Sequence, residues 1–241
     1  AWSLDTLLWA LVAVFLFELL RRTKKWWCYA FLALVPAIVF WIYIQPVWID
    51  PLYNKFSRLE NSELERRILE MAERVDIDAD RVHVVHMSKK TNAYNAYVNG
   101  VGPSLRIVLW DTTLDGLEPE EILFIMAHEI GHYKLNHLLW STLGFIIGAF
   151  FLLLFGAILY EGIVRCSGRL LGISDKADGA ALPLLLLLLS LLMFIAQPMS
   201  NVISRQAEQN ADRYALELTP NSEAAVSASQ KLAVSSRSDV E

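Results

Sequence analysis

The chain has 241 residues, 55% of them hydrophobic and 20% charged, with a mean hydropathy of +0.37 and a formal charge of −5. Such an apolar excess excludes intrinsic disorder and a simple soluble globule. The acidic balance excludes nucleic acid as a partner, because there is no basic surplus to neutralise phosphates.

The apolar residues are concentrated in runs. A helix crosses a bilayer with about 20 apolar residues. Trp26 to Ile44 supplies 19 without a charge, Leu138 to Tyr160 supplies 23, and Ala180 to Ile203 supplies 24, including six consecutive leucines from Leu184 to Leu189. Leu4 to Leu20 is a weaker fourth run, with Asp5 and Glu18 near its ends. It lacks a basic start and a small-residue cleavage site, so it reads as a span rather than a signal sequence. The expected fold is therefore a mainly α integral membrane protein with about four transmembrane helices and a small α+β domain at the membrane face.

The spans pair into two hairpins, residues 1–44 and 138–203, each with a short connection. The polar segments 45–137 and 204–241 then fall on the same side of the membrane. In the first of these, Ser62-Glu63-Leu64-Glu65 predicts a capping box, followed by Leu64, Ile68, Met71 and Val75 at helical spacing. Arg81 to His86, Asn95 to Asn99 and Leu105 to Trp110 predict strands, separated by Lys89-Lys90-Thr91-Asn92 and Gly100-Val101-Gly102-Pro103. Pro119, with Glu120 and Glu121 beside it, starts a helix that is expected to run unbroken into the third span, weakened only by Gly131.

That helix carries His128-Glu129-Ile130-Gly131-His132. Histidines at i and i+4 share a helix face, about 40° apart, so their rings can take two corners of a tetrahedral zinc site. Glu129 is displaced by about 100° and is suited to taking a proton from a metal-held water rather than to ligation. The domain is thus expected to be zincin-like, with one Zn2+ per chain.

A third protein ligand is needed. His83 and His86 read as ordinary strand residues, and His137 as an interfacial residue at the mouth of the third span. Cys28 and Cys166 fall at the opposite membrane face and are expected to be free thiols. A carboxylate remains: Glu208 and Asp212 share one helix face just past the fourth span, where Glu208 can ligate and Asp212 can orient a ligating histidine. The alternative is a charged juxtamembrane helix with Arg205 and Arg213 as intrahelical partners. Helical rise favours the metal site, since His132 lies about 9 Å before the third span and Glu208 about 8 Å beyond the fourth.

The chain resembles the membrane zinc metallopeptidases of the CAAX prenyl endopeptidase type and the bacterial heat-shock membrane protease. The likeness covers about residues 45–218. It rests on Asp50-Pro51-Leu52-Tyr53-Asn54-Lys55-Phe56, on Asn95-Ala96-Tyr97 followed by Gly100 and Gly102, and on Arg106 to Thr112. It extends through His128 to His132 with Asn136-His137, and through Glu208 to Asp212. The resemblance implies zinc on His128, His132 and Glu208, Glu129 as general base, and Asp212 behind the ligands. It further implies an edge strand at Asn95, Ala96 and Tyr97 along which a peptide or membrane-protein substrate lies, C-terminal or lipidated substrates included. Such proteases carry more spans upstream and a His-Pro segment downstream, so the chain is expected to be a fragment.

Two other readings stand beside it: a broad-specificity membrane quality-control protease, and a non-catalytic zinc-binding membrane scaffold, which would need a closed site with four protein ligands. The resemblance implies a cytoplasmic-facing site. Arg21, Arg22, Lys24, Lys25, Arg165, Arg169 and Lys176 in the hairpin loops argue the opposite by the positive-inside rule.

Overall fold

The chain divides into a membrane-type unit and a polar unit in a computed structural model, which describes residues 2–49, 52, 54–100, 105–175 and 178–238. Asp50, Pro51, Tyr53 and Gly102 of the family-like segments, Val101 and Pro103 of the predicted turn, and Lys176 of the second hairpin loop lie outside the described residues.

The first unit comprises residues 1–39 and 141–202. Helix α1 runs from Trp2 to Arg22, and α2 from Trp26 to Val39, continuing as a π-helix over Phe40–Ile49. The long helices α6 (His137–Ser167) and α7 (Leu182–Leu218) contribute their apolar lengths. Leu20, Trp26, Ala157, Tyr160, Ile173, Ala181, Leu185 and Leu188 form its core. Gly156 lets the helices approach: a side-chain carbon there would stand 3.0 Å from Leu189 Cδ2. Outside this core the helices present large apolar side chains outward, Phe194 at 77% exposure among them, as lipid-facing helices do.

Three helices among the described residues are long and apolar enough to cross a membrane: Trp26–Ile44, His137–Ser167 and Gly179–Leu218. The expected fourth, the run Leu4 to Leu20, is not among them. Helix α1 forms over its whole run, but it carries Asp5, Glu18, Arg21 and Arg22, and Glu18 is tied to Arg22 at 2.6 Å and to Arg21 at 4.0 Å. Cys28 and Cys166 are both free.

The second unit comprises residues 40–140 and 203–241. Its sheet has strands β1 (Phe56–Arg58), β2 (Val82–Val85), β3 (Ala96–Asn99) and β4 (Arg106–Trp110), in the order β1-β2-β4-β3. β2 and β4 pair in parallel at the centre, while β1 and β3 pair antiparallel on the outside. Helices α3 (Ser62–Glu73) and α5 (Pro119–Lys134) pack on it, with the short α4 (Asp111–Gly116) leaving β4 and α8 (Ser222–Ser238) lying against α5. Alternate residues Val82, Val84, Ile107 and Leu109 point into one core with Leu64, Ile68 and Met71 of α3 and Ile122 to Ala127 of α5.

Two local expectations are corrected. The cap of α3 is Asn61, whose side chain accepts from Leu64 N at 3.1 Å, rather than the Ser62–Glu65 box. Glu65 turns away from the helix end to accept from Arg58 and from the Val82 backbone at 3.2 Å. The helix beginning at Pro119 does not run unbroken into the third span. It ends at Lys134, and Asn136 takes a left-handed φ of 54° before α6 starts at His137. Asparagine tolerates that conformation and commonly terminates helices with it.

Candidate metal centre

Helix α5 starts where its sequence says it should. Pro119 occupies the first turn, and Glu118 and Glu121 form a reciprocal capping box around it. The helix is then clamped from two sides. On one, Arg67 of α3 makes a paired contact with Glu120 at 2.8 and 3.0 Å, and Lys134 donates to Val75 O at the end of α3. On the other, the buried Glu121 accepts from Lys231 Nζ at 2.7 Å and from Ser227 Oγ, both on α8. Burial alone would raise the Glu121 carboxyl, but the lysine ammonium and the hydroxyl outweigh it and hold it below the ordinary range.

Two turns on, His128 and His132 project from one face with their Nε2 atoms 3.0 Å apart. Glu208 of α7 joins them, its Oε2 3.4 Å from His128 Nε2 and 3.6 Å from His132 Nε2. Zinc bonds of about 2.0–2.1 Å place tetrahedral ligand atoms about 3.4 Å apart, so these three atoms already mark one face of such a site. They are the one group of three candidate ligands within 4.8 Å of one another among the described residues.

The approach of α7 to α5 depends on Gly131. A side-chain carbon there would lie 3.3 Å from Ala211 Cα and from Ala211 O, and 3.2 Å from Tyr214 Cβ. Ala211 and Ala215 are fully buried in this seam. The residue that weakens the helix by propensity is the one that lets the acidic helix in.

Each imidazole has a partner on its other nitrogen. His128 Nδ1 donates to Asp212 Oδ1 at 2.8 Å, and His132 Nδ1 lies 2.9 Å from His137 Nδ1. The contact of His137 was not anticipated; an interfacial role was expected. Glu129 is partly buried, and its carboxyl is pushed up to about 7, first by burial and then by the charge of Glu208. Burial, and then the neighbouring His128, hold His132 below its ordinary value.

Asn95, Ala96 and Tyr97 lie apart from this group of ligands in sequence, at the start of β3, the outer strand of the sheet. Ala96 is buried in the core, whereas Asn95 is exposed. Thr113 Oγ1 accepts from Asn95 N and donates to Asn95 O, both at 2.8 Å, and Thr112 Oγ1 donates to Ala93 O at 2.7 Å. These threonines pin the entry to β3 and were missed as such, although Thr112 closes the Arg106–Thr112 segment. His83 and His86 stand outside the candidate ligand group; His86 lies 3.3 Å from Ser57 Oγ and 3.5 Å from Asp111 Oδ2.

The profile of Peptidase family M48 matches residues 58–239. A Bacillus subtilis (strain 168) protein described as uncharacterized metalloprotease YhfN is 49% identical over 233 residues, covering 95% of this chain and 54% of the relative. The CAAX prenyl protease 1 homolog of Dictyostelium discoideum is 36% identical over 207 residues, covering 80% of this chain and 45% of the relative. The crystal structure of S. mikatae Ste24p superposes with a TM-score of 0.68 at 28% identity, covering 90% of this chain and 53% of that one. The chain spans about half the length of these relatives. With three membrane-length helices and such relatives, it is a multi-pass membrane protein. A family match over residues 58–239 takes in both histidines of α5 and the acidic pair of α7, and on it the chain belongs to peptidase family M48.

Proposed function

We propose that the protein is a zinc-dependent membrane endopeptidase, with His128, His132 and Glu208 as the metal ligands, Glu129 as the general base and Asp212 as the residue that orients His128. The observation that carries this reading is the triangle of ligand atoms, 3.0, 3.4 and 3.6 Å on its sides. Two neutral imidazoles and one carboxylate are a donor set that zinc favours. A bound zinc ion supplies a water of lowered pKa and polarises the scissile carbonyl.

The chain's own residues do the rest. Asp212 accepts the Nδ1 proton of His128 and so leaves Nε2 free for the metal. Glu129 takes the proton of the attacking water and returns it to the leaving amine. A substrate in extended form is assigned to the outer edge of β3 at Asn95, Ala96 and Tyr97, a segment held in place by Thr113, which binds both the backbone N–H and the C=O of Asn95. The scaffold reading requires a fourth protein ligand, whereas the cluster among the described residues has three.

By likeness to the CAAX prenyl proteases, we propose peptides or membrane proteins as substrates, C-terminal and lipidated ones among them. We assign the site to the cytoplasmic side, against the charge of the hairpin loops; labelling of a cysteine introduced at Lys90 in intact cells decides it. The function is tested by metal analysis of the purified protein together with peptidase assays on a prenylated peptide and on an unstructured protein. One zinc per chain and cleavage abolished by a chelator are expected. Cleavage that persists without metal overturns the mechanism, and cleavage of the unstructured protein alone replaces the CAAX-like specificity with the quality-control one.

A further inference from the structure

His137 does not belong to the ligand triangle. Its Nδ1 instead lies 2.9 Å from the Nδ1 of His132, the nitrogen facing away from the other ligands. In an unbroken helix, residues five apart are turned about 140° from each other and their side chains do not meet. They meet here because the chain breaks between them. Leu135 N still bonds to Gly131 O and Asn136 N to Tyr133 O, both late turns of α5; Asn136 then takes its φ of 54°, and α6 restarts with Trp140 N on Asn136 O. The left-handed residue swings His137 back over the end of α5, where its ring meets that of His132 edge-on with centroids 4.9 Å apart.

The two imidazoles of α5 are therefore treated alike. His128 has Asp212 on Nδ1, and His132 has His137 on Nδ1, while both Nε2 atoms converge on Glu208. Two nitrogens at 2.9 Å are joined by a single proton, so one donates and the other accepts. With Nε2 of His132 turned to the metal, its proton sits on Nδ1, and His137 is the acceptor.

We propose that His137 is a positioning residue for His132, accepting the Nδ1 proton so that His132 is held in the tautomer and orientation that present Nε2 to zinc, and that the left-handed turn at Asn136 exists to bring it there. The inference rests on the ligand assignment made above. Outer partners of this kind are generally worth about 10–100-fold in metal affinity.

The test is zinc affinity, measured by competition with a chromophoric chelator on the full chain in detergent, with the visible spectrum of the cobalt-substituted protein as a second readout. His137→Phe preserves an aromatic ring but cannot accept; His137→Gln restores an acceptor. The phenylalanine variant is expected to bind zinc about 10–100-fold more weakly and to shift the cobalt spectrum, with most of the affinity returning in the glutamine variant. Asn136→Gly, which keeps the left-handed turn, is expected to bind like wild type, and Asn136→Val like His137→Phe. Wild-type affinity in His137→Phe, or a glutamine variant no better than the phenylalanine one, overturns the proposal. His132→Ala distinguishes the two levels: if it binds zinc as wild type does, the ligand assignment itself falls, whereas loss of zinc there with an unchanged His137→Phe removes only the positioning role.

Discussion

Gly131 and Ala211 bring two helices so close that a single added carbon on the glycine would touch the alanine backbone at 3.3 Å. The contact sits between the two histidines' helix and the helix that carries Glu208, within one turn of all the candidate ligands. Backbone on the receiving side cannot rotate away as a flexible side chain can. Gly131→Val is expected to push α7 outward and weaken zinc binding by at least about tenfold, despite valine's better helix propensity than glycine's. Zinc competition reads this directly; unchanged affinity would show that the seam can open without moving Glu208.

In the proposed mechanism, Glu129 and His128 separate chemistry from metal retention. Glu129→Gln removes the proton acceptor and leaves the ligands, so zinc content is expected to stay at one per chain while turnover drops by at least about 100-fold. His128→Ala is expected to lose zinc and turnover together. Metal analysis and a peptidase assay on the same preparations check both; substantial cleavage by Glu129→Gln would take that residue out of the mechanism.

Asp212→Ala leaves His128 without its Nδ1 acceptor, now 2.8 Å away. Zinc affinity is expected to fall about 10–100-fold. Asp212→Asn, which keeps an oxygen, is expected to lose less. Equal losses would point to charge rather than to the hydrogen bond.

Asp111 should make stability depend on pH in acid. Partial burial works to raise its carboxyl, but Ser88 Oγ and the backbone N–H groups of Met87, Ser88 and Thr112 outweigh this and hold it at about 2. A carboxyl lowered in the folded state stabilises fully above its unfolded value of about 3.9, and that contribution is lost as pH falls towards the folded value. Its worth at neutral pH is about 2 kcal/mol. The Tm of Asp111→Asn in detergent is expected to lie below wild type at pH 7, with the gap closing between about pH 4 and pH 2. A gap that persists undiminished at pH 2 would assign the loss to packing.

Periodicity and charge made much of this legible in advance. The uncharged runs mark α2, α6 and α7, and the i, i+4 pairs on α5 and α7 pick out the three side chains that converge as candidate ligands, because helical spacing fixes which side chains share a face. Strands β2, β3 and β4 were found to within a residue where β-branched residues cluster, whereas β1 was not expected. What escaped notice was decided by contacts distant in sequence or by single backbone angles. Asn136 follows a basic helix end and is the kind of residue that stops a helix, yet the apolar run after it masked the signal. Asn61 took the cap that Ser62 was expected to make, since Glu65 was claimed by Arg58 and Val82 instead. Helix α1 reads as apolar along most of its length, with charged residues near both ends. Nothing local in Ser227 or Lys231 announces a partner more than a hundred positions away.

The grip of Lys231 and Ser227 on the carboxylate of Glu121 has a practical corollary for anyone trimming the chain. A truncation after Leu218 would retain all the candidate ligands and look like a minimal domain. It would also strip a sealed acidic group of its cation two turns from His128, a change that commonly costs about 3–5 kcal/mol. Helix α8, remote from the candidate ligands, is thereby a brace for the helix that carries two of them.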